Sequence, residues 1–108
     1  MHEAERLDPS GVGGWLRRFG TAYYSNLDYH NSIQWFERVP NLGVREHAYL
    51  AAAYAQLGDT KLAEEHAERI NELNDEFTVT EYVASLAYVN DGDRNHLAEG
   101  LRKAGLPE

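Results

Sequence analysis

The clearest hydrophobic pattern lies in the middle of the chain, where two helical segments of different character follow each other. The first, at about 44–57, is apolar on almost every side, most densely from Ala48 to Tyr54. The second, at about 60–73, alternates apolar and charged faces at helical spacing. Between them, Gly58 suits a helix end and Asp59 suits the N-cap of the next helix. The pattern predicts a helix pair whose first helix is covered on more than one side.

The same arrangement recurs before and after this pair. A shift of 31 residues places Tyr23 on Tyr54 and Asp28 on Asp59, so that each unit has a Tyr five residues before an Asp. A shift of 34 residues places Tyr54 on Tyr88. Repeats of this length are typical of stacked helix pairs. The sequence therefore predicts one domain, 1–108, divided as follows: 1–9, the tail of a preceding repeat; 10–14, a flexible connection; 15–40, repeat 1; 44–74, repeat 2; and 78–105, a divergent repeat 3 with a C-terminal cap.

Local signals also predict the helix ends of the third unit. Thr78 and Glu81 have the spacing of a capping box. We expect the first helix of this unit to extend to about Val89 and Asp93 to cap the last helix. Gly105 suits the left-handed residue that follows a helix.

Composition excludes several classes of protein. The chain has 108 residues, 10 Lys and Arg against 18 Asp and Glu, a net charge of −8 and no cysteine. Such an acidic chain is a poor general binder of nucleic-acid phosphates, and disulfides and thiolate metal sites are impossible without cysteine. We find no apolar run long enough for a membrane span and no export signal at the start. We therefore expect a soluble, cytoplasmic domain that binds neither nucleic acid nor membranes.

Candidate chemistry is sparse. The histidines lack the spacing of a zinc motif, and we interpret them as surface or cap residues; they are His2, His30, His47, His66 and His96. The acidic residues of 64–76 have the spacing of a solvated helix face. The Gly-rich stretch 10–14 lacks the Gly-Lys-Ser/Thr ending of a phosphate loop. No nucleophile stands in a catalytic motif. We expect no enzyme activity, no cofactor and no metal site.

Residues at matching offsets in each unit resemble the tetratricopeptide repeat (TPR) family. The third unit departs from the family at Leu97, where a small residue is usual. The resemblance implies an all-α, right-handed solenoid of about three antiparallel helix pairs that binds proteins. It rests on Gly20, Tyr23, Asp28, Tyr29, Ser32 and Phe36 in the first unit, Leu50, Ala51, Tyr54, Gly58, Asp59 and Ala63 in the second, and Tyr88, Gly92 and Asp93 in the third.

A narrower resemblance concerns 15–20, 52–58 and above all 96–107. These segments look like the C-terminal TPR region of bacterial class III adenylate and guanylate cyclases, and related regions occur in some winged-helix regulators. The resemblance implies a regulatory or scaffolding part of a larger signalling protein, whose catalytic domain would lie outside this chain. No catalytic residue of a cyclase is carried over.

Family members commonly bind peptides on the concave surface formed by the first helices, which implies a groove in this chain. Its two arginines and neighbouring tyrosines favour an anionic peptide. Alternatively, these arginines pair with local acids such as Glu46. A different function is self-association as a homodimer without a peptide ligand. The chaperone-binding clamp of the family is missing, because Thr21 and Tyr49 stand where Asn is needed. The predicted groove residues are Arg17, Thr21, Tyr24, Arg45, Ala48, Ala52, Gln56, Tyr82 and Leu86.

Overall fold

The computed structural model describes residues 9–40, 42–86 and 89–108, with side chains from Trp15 onward. Within these ranges the chain is all-helical and contains no strand. The predicted tail at 1–9 lies outside the described residues, apart from Pro9. The described residues form the helices α1 (Pro9–Ser25), α2 (Tyr29–Glu37), α3 (Val44–Leu57), α4 (Thr60–Leu73), α5 (Val79–Ala84) and α6 (Asp91–Lys103).

The middle pair has the predicted bounds, and its turn uses the predicted residues. Gly58 follows α3 in the left-handed conformation, with φ of 86°. The Asp59 carboxylate then accepts the backbone N–H of Leu62 at 3.3 Å, which caps α4. Asp28 caps α2 in the same way by accepting the N–H of Asn31. These contacts confirm that local signals set the ends of both helices.

Three predicted boundaries are wrong. Helix α1 begins at Pro9, so 10–14 is helical and not a flexible connection; Pro suits the first position of a helix, where no N–H partner is needed. Helix α5 ends at Ala84, well before Val89, and the Ser85 hydroxyl donates to the carbonyl of Tyr82 at this end. The last helix is capped by Asn90, whose side chain accepts the N–H of Asp93.

Consecutive helices pack against each other, most extensively within the first and the middle pair. In the first pair, the buried Ser32 hydroxyl donates to the carbonyl of Gly20 at 2.7 Å. A Cβ at Gly20 would lie only 2.5 Å from the Phe36 ring, so the glycine permits the close approach of α1 and α2. The repeat positions 20, 32 and 36 thus form the contact between the two helices.

Helix α3 is the centre of the molecule. Its residues from Ala48 to Ala53 are at most 8% exposed, and the helix packs against α1, α2, α4 and α6. This confirms the prediction that a helix apolar all round is covered on several sides. Tyr54 in the same helix is only half-buried.

The third pair joins the middle pair mainly through α6. In a regular stack, α5 would continue the series of first helices beside α3. Here α6 packs extensively on α3, and α5 packs on α6. A Cβ at Gly100 would lie 2.7 Å from the Cβ of Ala52 and 2.5 Å from the Tyr24 hydroxyl oxygen. Helix α6 therefore packs closely against both α3 and α1.

The C-terminal segment closes the third pair. Gly105 has a φ of 91°, and the N–H of Leu106 donates to the carbonyl of Leu101, as expected for this type of helix end. The N–H of Val79 donates to the carbonyl of Pro107 at 2.7 Å, which ties the start of α5 to the chain end. None of the described helices combines the length and hydropathy required to cross a membrane.

Candidate functional site

An arginine-lined cavity lies between α1, the start of α3 and the connection from α5 to α6. Its volume is about 760 Å³. We call it the arginine cavity. It is lined by Arg17, Arg18, Thr21, Ala22, Ser25, Asn26, Arg45, Tyr49, Leu86, Val89, Asn90 and Asp93. Four of the predicted groove residues, Arg17, Thr21, Arg45 and Leu86, are brought together here.

The cavity concentrates positive charge in an acidic protein. Arg17, Arg18 and Arg45 line it, and Asp93 is the one acid among its described lining residues, although the whole chain carries a net charge of −8. Arginine is the side chain best suited to carboxylates, because its planar guanidinium donates two parallel hydrogen bonds. The arginines that line the cavity therefore favour a ligand with an anionic group.

A partly buried ion pair holds one of these arginines in position. Arg17 donates to the carboxylate of Glu46 at 2.9 Å, and the Glu46 side chain is only 7% exposed. The other carboxylate oxygen of Glu46 accepts the N–H of Gly43, the N-cap residue of α3, at 2.7 Å. The predicted alternative, in which Arg17 pairs with Glu46, is thus observed, and Arg17 has a structural role at the cavity edge.

The cavity also has apolar lining residues. Leu86 and Val89 follow the early end of α5, and Tyr49 adds an aromatic ring from α3. A ligand here would meet both arginines and hydrocarbon. Sequence analysis missed Arg18 and the polar side chains of the α5–α6 connection, because their approach depends on where α5 ends.

Helix α6 packs against three of the other predicted groove residues, Tyr24, Ala52 and Gln56. Tyr24, Ala48 and Ala52 are at most 1% exposed, so they are packing residues and do not line an open groove. Gln56 is half-buried and contacts α6 through Glu99 and Lys103. The prediction failed here because the repeat pattern indicates which face of α3 is apolar but not which helix covers it.

Two tyrosines and a histidine fix α6 on α1 and α2. The Tyr24 hydroxyl donates to the carbonyl of His96 at 2.9 Å, and the two rings stack with centroids 4.4 Å apart. The Tyr29 hydroxyl lies 2.7 Å from Nε2 of His96. Burial raises the pKa of Tyr24 far above its usual value, so its hydroxyl stays protonated and serves as a donor.

The last predicted groove residue, Tyr82, is half-buried in α5. Its ring packs on Phe77, with centroids 5.2 Å apart. Tyr82 does not line the arginine cavity, whose α5 side is formed by residues beyond this helix.

A pair of histidines was also missed by sequence analysis. His47 of α3 and His66 of α4 are 19 residues apart, yet their Nδ1 atoms lie 2.9 Å apart. The Tyr54 ring stacks on His66, and its hydroxyl donates to Glu37 of α2. Burial, followed by the hydrogen bond with Glu37, raises the pKa of Tyr54 to about 12. No regular spacing signals the histidine pair, because it arises from packing between the helices.

A surface of aromatic rings lies on α1 and α2, away from α6. Trp15 is 63% exposed and Phe19 is 40% exposed. The Phe19 ring packs on Trp35 with centroids 4.7 Å apart, and the Arg38 guanidinium lies over the Trp35 ring. We call this surface the aromatic patch. Exposed rings in contact with one another are unusual in a monomer and mark candidate interaction surfaces.

Comparison with known proteins identifies no relative: no family model matches the chain, and no curated protein or solved structure gives a significant match.

Proposed function

We propose that this chain is a protein-interaction module of TPR-like helix pairs that binds a carboxylate-bearing segment of a partner protein in the arginine cavity. The observation that carries the proposal is the convergence of Arg17, Arg18 and Arg45 on one cavity of an acidic domain. The internal repeat and the helix pairs support a right-handed solenoid as the underlying architecture.

The arginines and the apolar residues that line the cavity indicate the chemistry of the ligand. The arginines would bind a carboxylate, while Leu86 and Val89 would contact an adjacent apolar side chain. A short acidic segment with one hydrophobic residue fits both requirements. Since α6 covers the neighbouring surface of α3, the ligand would occupy the cavity alone and not an extended groove.

Direct binding of peptides tests this proposal. The probes are synthetic acidic peptides with a Leu beside Glu or Asp, and their neutral Gln and Asn counterparts, measured by fluorescence anisotropy. Charge reversal at Arg18 or Arg45 should weaken binding of the acidic peptides by at least about tenfold and reduce its salt dependence. Arg17 is left unchanged, because its loss would also leave the Glu46 carboxylate without its cation.

A matched control is Lys61→Glu, which makes the same charge change at an exposed position of α4 outside the cavity. The proposal fails if Lys61→Glu weakens binding as much as Arg45→Glu does, or if acidic and neutral peptides bind equally.

The wider setting follows from the resemblance to cyclase C-terminal regions. We place the module in the cytoplasm, as the regulatory or scaffolding part of a larger bacterial signalling protein such as an adenylate cyclase. In this setting the chain itself performs no catalysis and recruits a protein that acts with the catalytic domain.

The aromatic patch favours self-association as the second candidate function. Trp15 and Phe19 would be covered if two copies met through this face. Sedimentation equilibrium of Trp15→Arg and of Arg45→Glu separates the two functions. Dimer loss in Trp15→Arg with unchanged peptide binding would support both surfaces, whereas a monomeric parent chain would exclude self-association.

A further inference from the structure

A hydrogen-bonded pair of histidines joins the two helices of the middle unit. The Nδ1 atoms of His47 and His66 lie 2.9 Å apart, and the two ring centroids are 5.1 Å apart. In the neutral pair one Nδ1 carries a hydrogen and donates it to the lone pair of the other. A first added proton can enter on an Nε2 atom and leaves this bond in place. A proton on the accepting Nδ1 breaks the bond, because two donors then face each other.

The surroundings keep both rings neutral at neutral pH. The His47 residue is only 9% exposed, and burial lowers the pKa of His47 and of His66. The nearby Arg69 acts in the same direction on both rings, and His47 itself does so on His66. Both histidines therefore become charged only when the pH falls below the usual range for histidine.

Charged groups from the other helices complete the surroundings of the pair. Carboxylates on three helices favour protonation and offset part of the effect of burial; they are Glu46 of α3, which acts on His47, and Glu37 of α2 and Glu65 of α4, which act on His66. Helices α1 and α6 bring charged groups to other residues of α3: Arg17 pairs with Glu46, and Glu99 and Lys103 contact Gln56. Acid therefore acts on this site mainly through the two rings.

His47 also closes the turn of α3 that borders the arginine cavity. Its backbone N–H donates to the carbonyl of Gly43 at 3.0 Å. The same turn carries Arg45, which lines the cavity, and Glu46, which holds Arg17 at the cavity edge. Because His47 follows Arg45 by two residues, their side chains leave the helix on nearly opposite sides. A displacement of the His47 ring therefore reaches the cavity through the backbone of this turn.

We propose that the histidine pair is a pH-sensitive switch that keeps the first turn of α3 in the form that binds an acidic peptide in the arginine cavity. This inference rests on the proposed function of the cavity. In acid, a proton enters on the accepting Nδ1, the hydrogen bond between the rings breaks, and the two cations move apart. The first turn of α3 moves with His47, so that Arg45 and Arg17 lose the positions in which they bind a carboxylate. The peptide is bound at neutral pH and released in acid.

The pH dependence of peptide binding tests this proposal. The probe is a synthetic acidic peptide with Leu beside Glu, followed by fluorescence anisotropy from about pH 7.5 to about pH 5.0, a range in which most Glu side chains stay ionised. Over this range the affinity of the parent chain should fall at least about fivefold, and that of His66→Asn less than about twofold. His30→Asn, at an exposed position on α2, is the matched control and should behave as the parent chain does.

Nuclear magnetic resonance follows the switch without a peptide. In the parent chain, the backbone amide signals of Arg45 and Glu46 should shift with the same pH midpoint as the ring signals of His66, and His66→Asn should lack these shifts. Circular dichroism checks that both chains are folded at each pH, and His66→Gln replaces His66→Asn if the latter is unfolded at neutral pH.

The outcomes separate this inference from the function on which it rests. An absence of peptide binding at about pH 7.5 would refute the proposed function and this inference with it. Binding that weakens equally in the parent chain and in His66→Asn would overturn the switch alone. Unfolding of the parent chain by about pH 5.0 would also overturn it, because the switch requires a chain that stays folded when the peptide is released.

Discussion

Replacing Gly100 by Ala tests how closely α6 packs against α1 and α3. In an ordinary exposed helix this change would stabilise the chain by up to about 1 kcal/mol, because Ala is the better helix former. At this position the new Cβ would lie 2.5 Å from the Tyr24 hydroxyl oxygen, 2.7 Å from the Cβ of Ala52 and 3.1 Å from its Cα. Two of these atoms belong to the α3 core, so they cannot swing away as the end of a flexible side chain would.

The expected magnitude follows from these opposing effects. Overpacking in a closely packed core typically costs about 1–3 kcal/mol. Displacement of α6 would also lengthen the hydrogen bond from Tyr24 to the His96 carbonyl, now 2.9 Å, which is a further loss of about 1 kcal/mol. After subtraction of the helix-propensity gain, we expect Gly100→Ala to lower the free energy of unfolding by about 1–3 kcal/mol.

Urea denaturation followed by circular dichroism measures this loss, and the same helix supplies the control. A Cβ at Gly92 would meet only the Asn90 side-chain oxygen, at an ordinary 3.5 Å. Gly92→Ala should therefore be neutral or stabilising by up to about 1 kcal/mol. If Gly100→Ala stabilises the chain as much as Gly92→Ala, α6 does not lie against α3 and α1, and our account of the covered groove is refuted.

Two further outcomes can be measured on the same apparatus. Arg17→Met should lower the free energy of unfolding by about 1–3 kcal/mol, because it leaves the buried Glu46 carboxylate without its cation. Arg69→Met removes an exposed ion pair with Glu72 and should change the stability by less than about 0.5 kcal/mol. Equal losses in the two variants would contradict the structural role of Arg17. The folded-state pKa values of His47 and His66 are lowered, so the stability that they contribute is complete above about pH 6.5 and is lost as the pH falls below it. Between about pH 7.5 and about pH 5.5 the urea midpoint of the parent chain should therefore fall more than that of His66→Asn, and parallel curves would show that the pair does not titrate in this way.

The sequence was most informative where a structural feature depends on residues close together in the chain. The bounds of α3 and α4, the helix end at Gly58 and the cap at Asp59 were all predicted correctly. Each depends on hydrogen bonds or backbone angles within a few residues. The same reasoning failed for α5, because a capping box predicts where a helix begins but gives no information about where it ends.

The candidate sites were less predictable for the same reason. Arg17 and Arg45 were identified as candidates, yet the cavity that contains them requires the α5–α6 connection as its second wall. The histidine pair joins positions 19 residues apart that share no motif. In both cases the chemistry depends on which helices meet, and this is a property of packing across the whole domain.

The sequence by itself determined that the chain is a series of amphipathic helices around one fully apolar helix, since hydrophobic periodicity and caps act locally. Tertiary structure alone decided that α6 covers Ala52 and Tyr24. Several helices offer an apolar face to α3, and the choice among them depends on close fit. At Gly100 the missing side chain allows α6 to approach both Ala52 and Tyr24, and the sequence pattern of α6 contains no signal that names either partner.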